Sequence, residues 1–136
     1  ENRSRRLDVK ILLDTNAYSD WMRSGRWSEV ITTASEVMIP AIVLGELRYG
    51  FQGSKHHENN ERTLIRFLKH PNVIVLEVGE TSSKVYANLK HFLRSAGNPI
   101  PENDVWIAAL AVESMAFLVT ADSHFGFLPQ VTRVLE

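Results

Sequence analysis

Four short apolar runs punctuate the chain: Val9–Leu13, Val37–Ile39, Val73–Val78 and Phe117–Thr120, each rich in β-branched or aliphatic residues. Unbroken runs of this kind, rather than alternating ones, suit a parallel sheet covered on both faces, where every strand buries both sides. Between them, apolar residues recur at helical spacing. Ala41–Phe51 follows Pro40, a residue tolerated where a helix begins; Glu61–Lys69 repeats Leu64, Ile65 and Leu68; Ser82–Leu93 carries Val85, Leu89 and Phe92. A Gly/Pro loop, SAGNPIPEN over residues 95–103, leads into an alanine-rich helix from about Asn103 to Ser114, and Val131–Leu135 predicts a further short strand. Strands alternating with helices, without internal repeats, predict a three-layer α/β domain whose ligands bind beyond the carboxyl ends of the strands.

Two polar stretches interrupt the pattern. Residues 1–8, beginning ENRSRR, read as a flexible tail before a single domain over 9–136, and QGSKHHENN over 52–60 reads as a mobile loop. A chain of 136 residues is long enough to bury one core. Cysteine is absent, which excludes disulfides and thiolate metal sites and fits a reducing cytoplasm. No apolar run approaches the roughly 20 residues that span a bilayer, so a soluble cytoplasmic protein without membrane contact is expected.

Charge changes the picture at four positions. Asp14 ends ILLD, Glu46 lies inside IVLGELRYG, Asp104 opens DVWIAALA, and Asp122 closes FLVTAD, each set in apolar sequence where a lone carboxylate is expensive to bury. Taken singly, three have ordinary structural uses: Asp14 and Asp122 suit a helix cap or turn, and Asp104 sits where a helix dipole favours negative charge. Glu46 has no such use. It falls in the second turn of its helix, and Arg48, two residues on, faces elsewhere. An α/β fold brings all four to one sheet edge, and carboxylates gathered there need a cation. Hard oxygen donors select Mg²⁺ or Mn²⁺. The chain's net charge of −1 turns positive once these four are set aside, leaving room for a modest phosphate-binding surface.

The histidines add no zinc site: His56 and His57 are adjacent and diverge, His70 and His91 are isolated, and His124 reads as a solvated or structural residue. Tyr18, Trp21, Met22 and Trp27 crowd one short helical segment from which four large side chains do not readily all turn inward, and they read as a partner-binding surface.

With these residues in view, the chain resembles the PIN-domain ribonucleases, especially the VapC-type toxins of prokaryotic toxin–antitoxin pairs. The marks are LLDTNAYSD, PAIVLGELRYG, NPIPENDVWIAALA and LVTADSHFGFLP, in that order between Val9 and Leu135. The resemblance implies a central parallel sheet of about five strands flanked by helices. It implies that Asp14, Glu46, Asp104 and Asp122 form the acidic metal-binding set, supported by Asn16 and Thr120. The implied reaction is endonucleolytic hydrolysis of RNA with Mg²⁺ or Mn²⁺, water attacking phosphorus in line to leave a 5′-phosphate and a 3′-hydroxyl. The implied partners are a VapB-like antitoxin lying along the aromatic region and a second copy of the chain in a homodimer. Ser123 departs from the pattern, standing where many relatives carry a basic residue beside the last Asp.

The competing reading is a PIN-like module that holds RNA or a protein without cutting; the presence of all four acids argues against it. A receiver domain would need a phosphoacceptor Asp in VIVLEVGET, and a dinucleotide-binding domain would need a glycine-rich turn after the first strand.

Overall fold

The computed structural model describes residues 7–134. In chain order the elements are β1 (Leu7–Leu13), α1 (Thr15–Ser24), α2 (Ser28–Thr33), β2 (Ala34–Pro40), α3 (Ala41–Gln52), α4 (His57–Leu68), β3 (Val73–Leu76), α5 (Glu80–Ala96), α6 (Glu102–Ser114) and β4 (Phe117–Val119), followed by a short 3₁₀ helix, Ser123–Phe127. The strands form one parallel sheet in the order β3-β2-β1-β4, flanked by helices. β1 lies between β2 and β4, and its Ile11, Leu12 and Leu13 are fully buried, which is why this run has no polar alternation.

This strand order sets the position of the site. From β1 the chain moves outward to β2 and β3, then returns across the sheet to place β4 on β1's other side. The β1/β4 boundary is therefore a topological switch point, where connections leave the strand ends in opposite directions and open a crevice. Leu13 pairs with Val119, so the next residues on each strand, Asp14 and Thr120, emerge side by side at its mouth.

The sheet has four strands rather than about five. The strand expected at Val131–Leu135 is reduced to one parallel bridge between Leu118 and Arg133. Leu118 N–H donates to Thr132 O at 2.8 Å and Val134 N–H to Leu118 O at 2.9 Å. Pro129 turns the chain just before, and Val131 N–H donates to Leu128 O at 3.1 Å, which commits Val131 to that turn and not to a ladder. Leu135 lies outside the described residues, as do residues 1–6 of the expected tail; Leu7 and Asp8 already belong to β1.

Residues 52–60 are also more ordered than their composition suggested. Gln52 ends α3, and α4 begins at His57, four residues before the helix expected from Glu61. Arg48 on α3 and Glu61 on α4 join the two helices through a two-pronged ion pair, with Nη2 2.7 Å and Nε 3.0 Å from Oε2. This pairing occupies Arg48 and confirms that Glu46 is not its partner.

Helix ends carry the backbone exceptions. Gly25 caps α1 at φ 78°, breaking the aromatic segment into two helices, and Gly97 caps α5 at φ 75°. Met115 does the same for α6 at φ 55° although it has a side chain, and that side chain is 80% exposed. An L-residue pays about 1–2 kcal/mol in this region, and Met115 recovers little of it through burial. Met115→Gly is therefore expected to stabilise the fold by about 0.5–1 kcal/mol in urea unfolding; a variant less stable than the wild type would show that Met115 makes a contact worth more than its strain.

Candidate active site

Asp14 follows β1 directly and is the N-cap of α1: its Oδ1 accepts from Ala17 N–H at 2.8 Å. Its Oδ2 accepts from Thr120 Oγ1 at 2.5 Å across the β1/β4 boundary. The Thr120 hydroxyl in turn accepts from Asp122 N–H at 2.9 Å, so this one side chain ties the first acid to the backbone of the last. Asp122 caps the 3₁₀ helix, its Oδ1 accepting from His124 N–H at 2.9 Å. Capping and site-building are thus not alternatives for Asp14 and Asp122. Each cap bond occupies part of one oxygen, fixes the rotamer, and leaves the carboxylate turned toward its neighbours.

Asp104 and Glu46 reach the same place from helices. Asp104 lies in the first turn of α6 and does not cap it; the N-cap position is Pro101, with no side-chain bond. Asn103, beside Asp104, donates Nδ2–H to Glu46 Oε2 at 3.0 Å. Thr15 Oγ1 donates to the other oxygen, Glu46 Oε1, in a short hydrogen bond. Glu46 on α3 is thereby clamped between the start of α1 and the start of α6 by two neutral donors. The only signal in the sequence for Thr15 and Asn103 is their adjacency to Asp14 and Asp104.

All four acids line one cleft of about 290 Å³, with Thr15, Asn16, Tyr49 and Ile107, and among the described residues none of its lining is Lys or Arg. Asn16 borders the cleft without a hydrogen bond to the acids among the described residues. His124 stands against two of them, its Nδ1 3.1 Å from Asp122 Oδ1 and 3.5 Å from Asp104 Oδ2. Partly solvated as expected, it also joins Asp104 and Asp122 in a group able to hold a metal ion.

Burial and crowding act on Asp14 and Asp104 in one direction. Asp14 is 5% exposed, and desolvation pushes its pKa up to about 6, with Asp104 and Asp122 adding to the rise and the bonds from Thr120 and Ala17 opposing it. Asp104 is also raised, first by burial and then by Asp122, against a smaller opposing pull from His124. Carboxylates held together at this cost, all oxygen donors but for one imidazole nitrogen, fit a divalent cation.

The expected partner surface divides. Tyr18 and Trp27 are core residues at 3% and 9% exposure, because α1 and α2 diverge at Gly25 and turn them inward. Trp21 is half-buried against Phe67, and Met22 is exposed.

Comparison with known proteins agrees with the fold. The family model described as the PIN domain matches residues 11–128. Ribonuclease VapC4 of Mycobacterium tuberculosis is 32% identical over 93 residues, 68% of this chain and 72% of that protein. Ribonuclease VapC2 of Rickettsia felis is 36% identical over 95 residues, 68% of this chain and 67% of that protein. Among solved structures, VapBC2 from Rickettsia felis bound to a promoter DNA fragment matches with a TM-score of 0.81 at 27% identity, over 93% of this chain and 98% of that one. VapBC-1 from nontypeable Haemophilus influenzae gives 0.82 at 25% identity, over 93% and 97%.

The pKa directions set a pH signature for the metal-free protein. Below about pH 4 Asp14 is protonated in both folded and unfolded chains and contributes nothing; between about 4 and 6 the unfolded chain ionises first; above 6 the folded state carries the full penalty, roughly 3 kcal/mol. Asn retains the cap acceptor, so in chelator Asp14→Asn is expected to be more stable than wild type by about 2–3 kcal/mol at pH 7.5 and equal to it near pH 4, measured by urea unfolding. An Asn variant that is less stable at pH 7.5 would show that Asp14's hydrogen bonds outweigh its desolvation.

Proposed function

This chain belongs to the PIN-domain family, among relatives of the VapC ribonucleases, and from that membership we propose that it is a divalent-metal-dependent endoribonuclease, the cytoplasmic toxin of a toxin–antitoxin pair. The observation that carries the reading is the convergence of Asp14, Glu46, Asp104 and Asp122 on one cleft from separate elements. A binding module with no reaction to perform has no use for gathered carboxylates when burial and neighbouring charge resist the ionisation of two of them, Asp14 and Asp104.

Asp14, Asp104 and Asp122 would hold Mg²⁺ or Mn²⁺, with Glu46 lining the same cleft and completing the acidic set. When bound, such an ion neutralises the acids, lowers the pKa of a water and offsets charge on the phosphoryl oxygens. The protein's own part is positional. Thr120 locks Asp14 to the backbone of Asp122, and Thr15 and Asn103 fix the Glu46 carboxylate while leaving each of its oxygens a lone pair for the attacking water. RNA is cut in line at phosphorus, giving a 5′-phosphate and a 3′-hydroxyl.

The antitoxin reading rests on a groove of about 380 Å³ between α1, α3 and α4, lined by Tyr18, Met22, Arg23 and Phe51 among others. The Tyr18 hydroxyl is buried beneath it without a hydrogen-bond partner among the described residues, a cost that a polar group of a docked segment would remove once the groove opens to admit it. Tyr18 N–H donates to Asp14 O at 3.2 Å, so the groove begins one helical turn from the acids and a segment lying in it can reach them. A homodimer belongs to the same reading, and the exposed Ile74, Val75 and Val78 at the β3 edge of the sheet supply apolar surface for association.

Two tests follow. Purified protein should cut RNA with Mn²⁺ or Mg²⁺ and stop in excess chelator, and Asp104→Asn should lower the rate by at least about a hundredfold while melting no lower than wild type. Cleavage that survives both treatments rejects the mechanism, and none by wild type under any metal favours the binding module. On the partner side, Tyr18→Phe should leave stability unchanged or higher, and Tyr18→Phe and Met22→Glu should each weaken antitoxin binding several-fold in calorimetry, with free-protein cleavage retained. Unchanged affinity in both places the partner elsewhere.

A further inference from the structure

His124 is two residues beyond Asp122 on the 3₁₀ helix, and the fully buried Phe125 beside it anchors that turn to the core. Its side chain is 45% exposed, yet the Nδ1 atom is buried, so the ring turns this nitrogen inward and leaves its remaining edge to solvent. Two carboxylate oxygens flank it, at 3.1 Å on Asp122 and 3.5 Å on Asp104. Nδ1 nonetheless meets no partner in full hydrogen-bond geometry, although the Asp104 carboxyl feels its pull.

An ion pair and an ion-binding triad differ on this point. An imidazolium serving as counter-ion would aim its N–H at one carboxylate. A ligand aims its lone pair at the space the three donors share. Donors from Asp104, Asp122 and His124 all lie within 4.8 Å of one another. Neighbouring donors around an ion with bonds of roughly 2.1 Å are about 3 Å apart, close to the two separations seen from Nδ1. The backbone favours the same arrangement, because Asp122 Oδ1 accepts from His124 N–H at 2.9 Å and holds residue and carboxylate in one tight turn.

We propose that His124 Nδ1, with Asp104 and Asp122, is a direct ligand of the divalent ion, giving this acidic site one nitrogen donor and a preference for Mn²⁺ over Mg²⁺. The proposal rests on the metal-dependent reading of the cleft and deepens it. Imidazole suits later first-row ions, whereas Mg²⁺ keeps to oxygen and to its own waters, so the residue that separates the two ions is the histidine and not the acids.

Pulsed electron paramagnetic resonance on the whole protein loaded with Mn²⁺ tests this without an activity assay. The wild type should show nitrogen-14 modulation from a directly bound imidazole, and labelling its histidines with nitrogen-15 should change that pattern. In His124→Ala the modulation should vanish and Mn²⁺ affinity fall by about tenfold or more, while Mg²⁺ affinity, read by displacement of a weak Mn²⁺ load, changes by less than about threefold. The labelling arm needs no substitution, so it decides the matter even if the alanine variant fails to fold. Bound Mn²⁺ without nitrogen coupling in wild type, or coupling that persists in His124→Ala, overturns the histidine ligand and leaves the metal site standing. A wild type that binds no Mn²⁺ overturns the metal reading itself.

Discussion

The Thr120 hydroxyl holds the site together. It donates to Asp14 Oδ2 and accepts from Asp122 N–H, and in doing so it crosses the boundary between β1 and β4, the one place in the sheet where neighbouring strands send their connections in opposite directions. Asp14 is the deepest of the acids, and its environment resists ionisation. The bonds from Thr120 and Ala17 lower that resistance without removing it, so the carboxylate is fixed in position while its charge remains poorly compensated. Rigidity from neutral donors combined with uncompensated charge is what a cation site requires before the cation arrives.

The remaining acids follow the same rule by different means. Asp122 is fixed by its own cap, Glu46 by Thr15 and Asn103, and Asp104 by its place in the first turn of α6. Among the described residues no Lys or Arg lines the cleft to take the place of an ion. The basic residue nearest Glu46 in sequence, Arg48, is drawn away to Glu61, where it joins α3 to α4. The cost of four gathered acids is borne by a core centred on β1, whose Ile11, Leu12 and Leu13 are entirely buried.

The sequence made the strands and the four acids legible for one reason: both are violations of the average. Unbroken apolar runs are unusual outside a parallel sheet, and isolated acids are unusual within apolar segments. What it concealed depends on neighbours brought from far away. Val131 belongs to a strand-forming run, but Pro129 and the turn bond to Leu128 limit the fifth strand to one bridge. The stretch from 52 to 60 is polar enough for a loop, yet α4 starts within it, because the apolar stripe of Leu64 and Phe67 is buried and Arg48 ties Glu61 to α3. Tyr18 and Trp27 looked too many for one helix face, and the αL turn at Gly25 gives each a separate route inward. His124 was plain in the sequence, but only the 3₁₀ turn shows its ring nitrogen among carboxylates.

The central claim is that the carboxylates at the β1/β4 boundary are built around a divalent ion, and anomalous diffraction from crystals soaked in Mn²⁺ tests it most directly. The account predicts an anomalous peak within coordination distance, roughly 2.1–2.3 Å, of oxygens from Asp14, Asp104 or Asp122. A cleft without a peak at saturating Mn²⁺, its carboxylates still held by Thr120, Thr15 and Asn103, would contradict it and make the acidic cluster a structural feature of the fold.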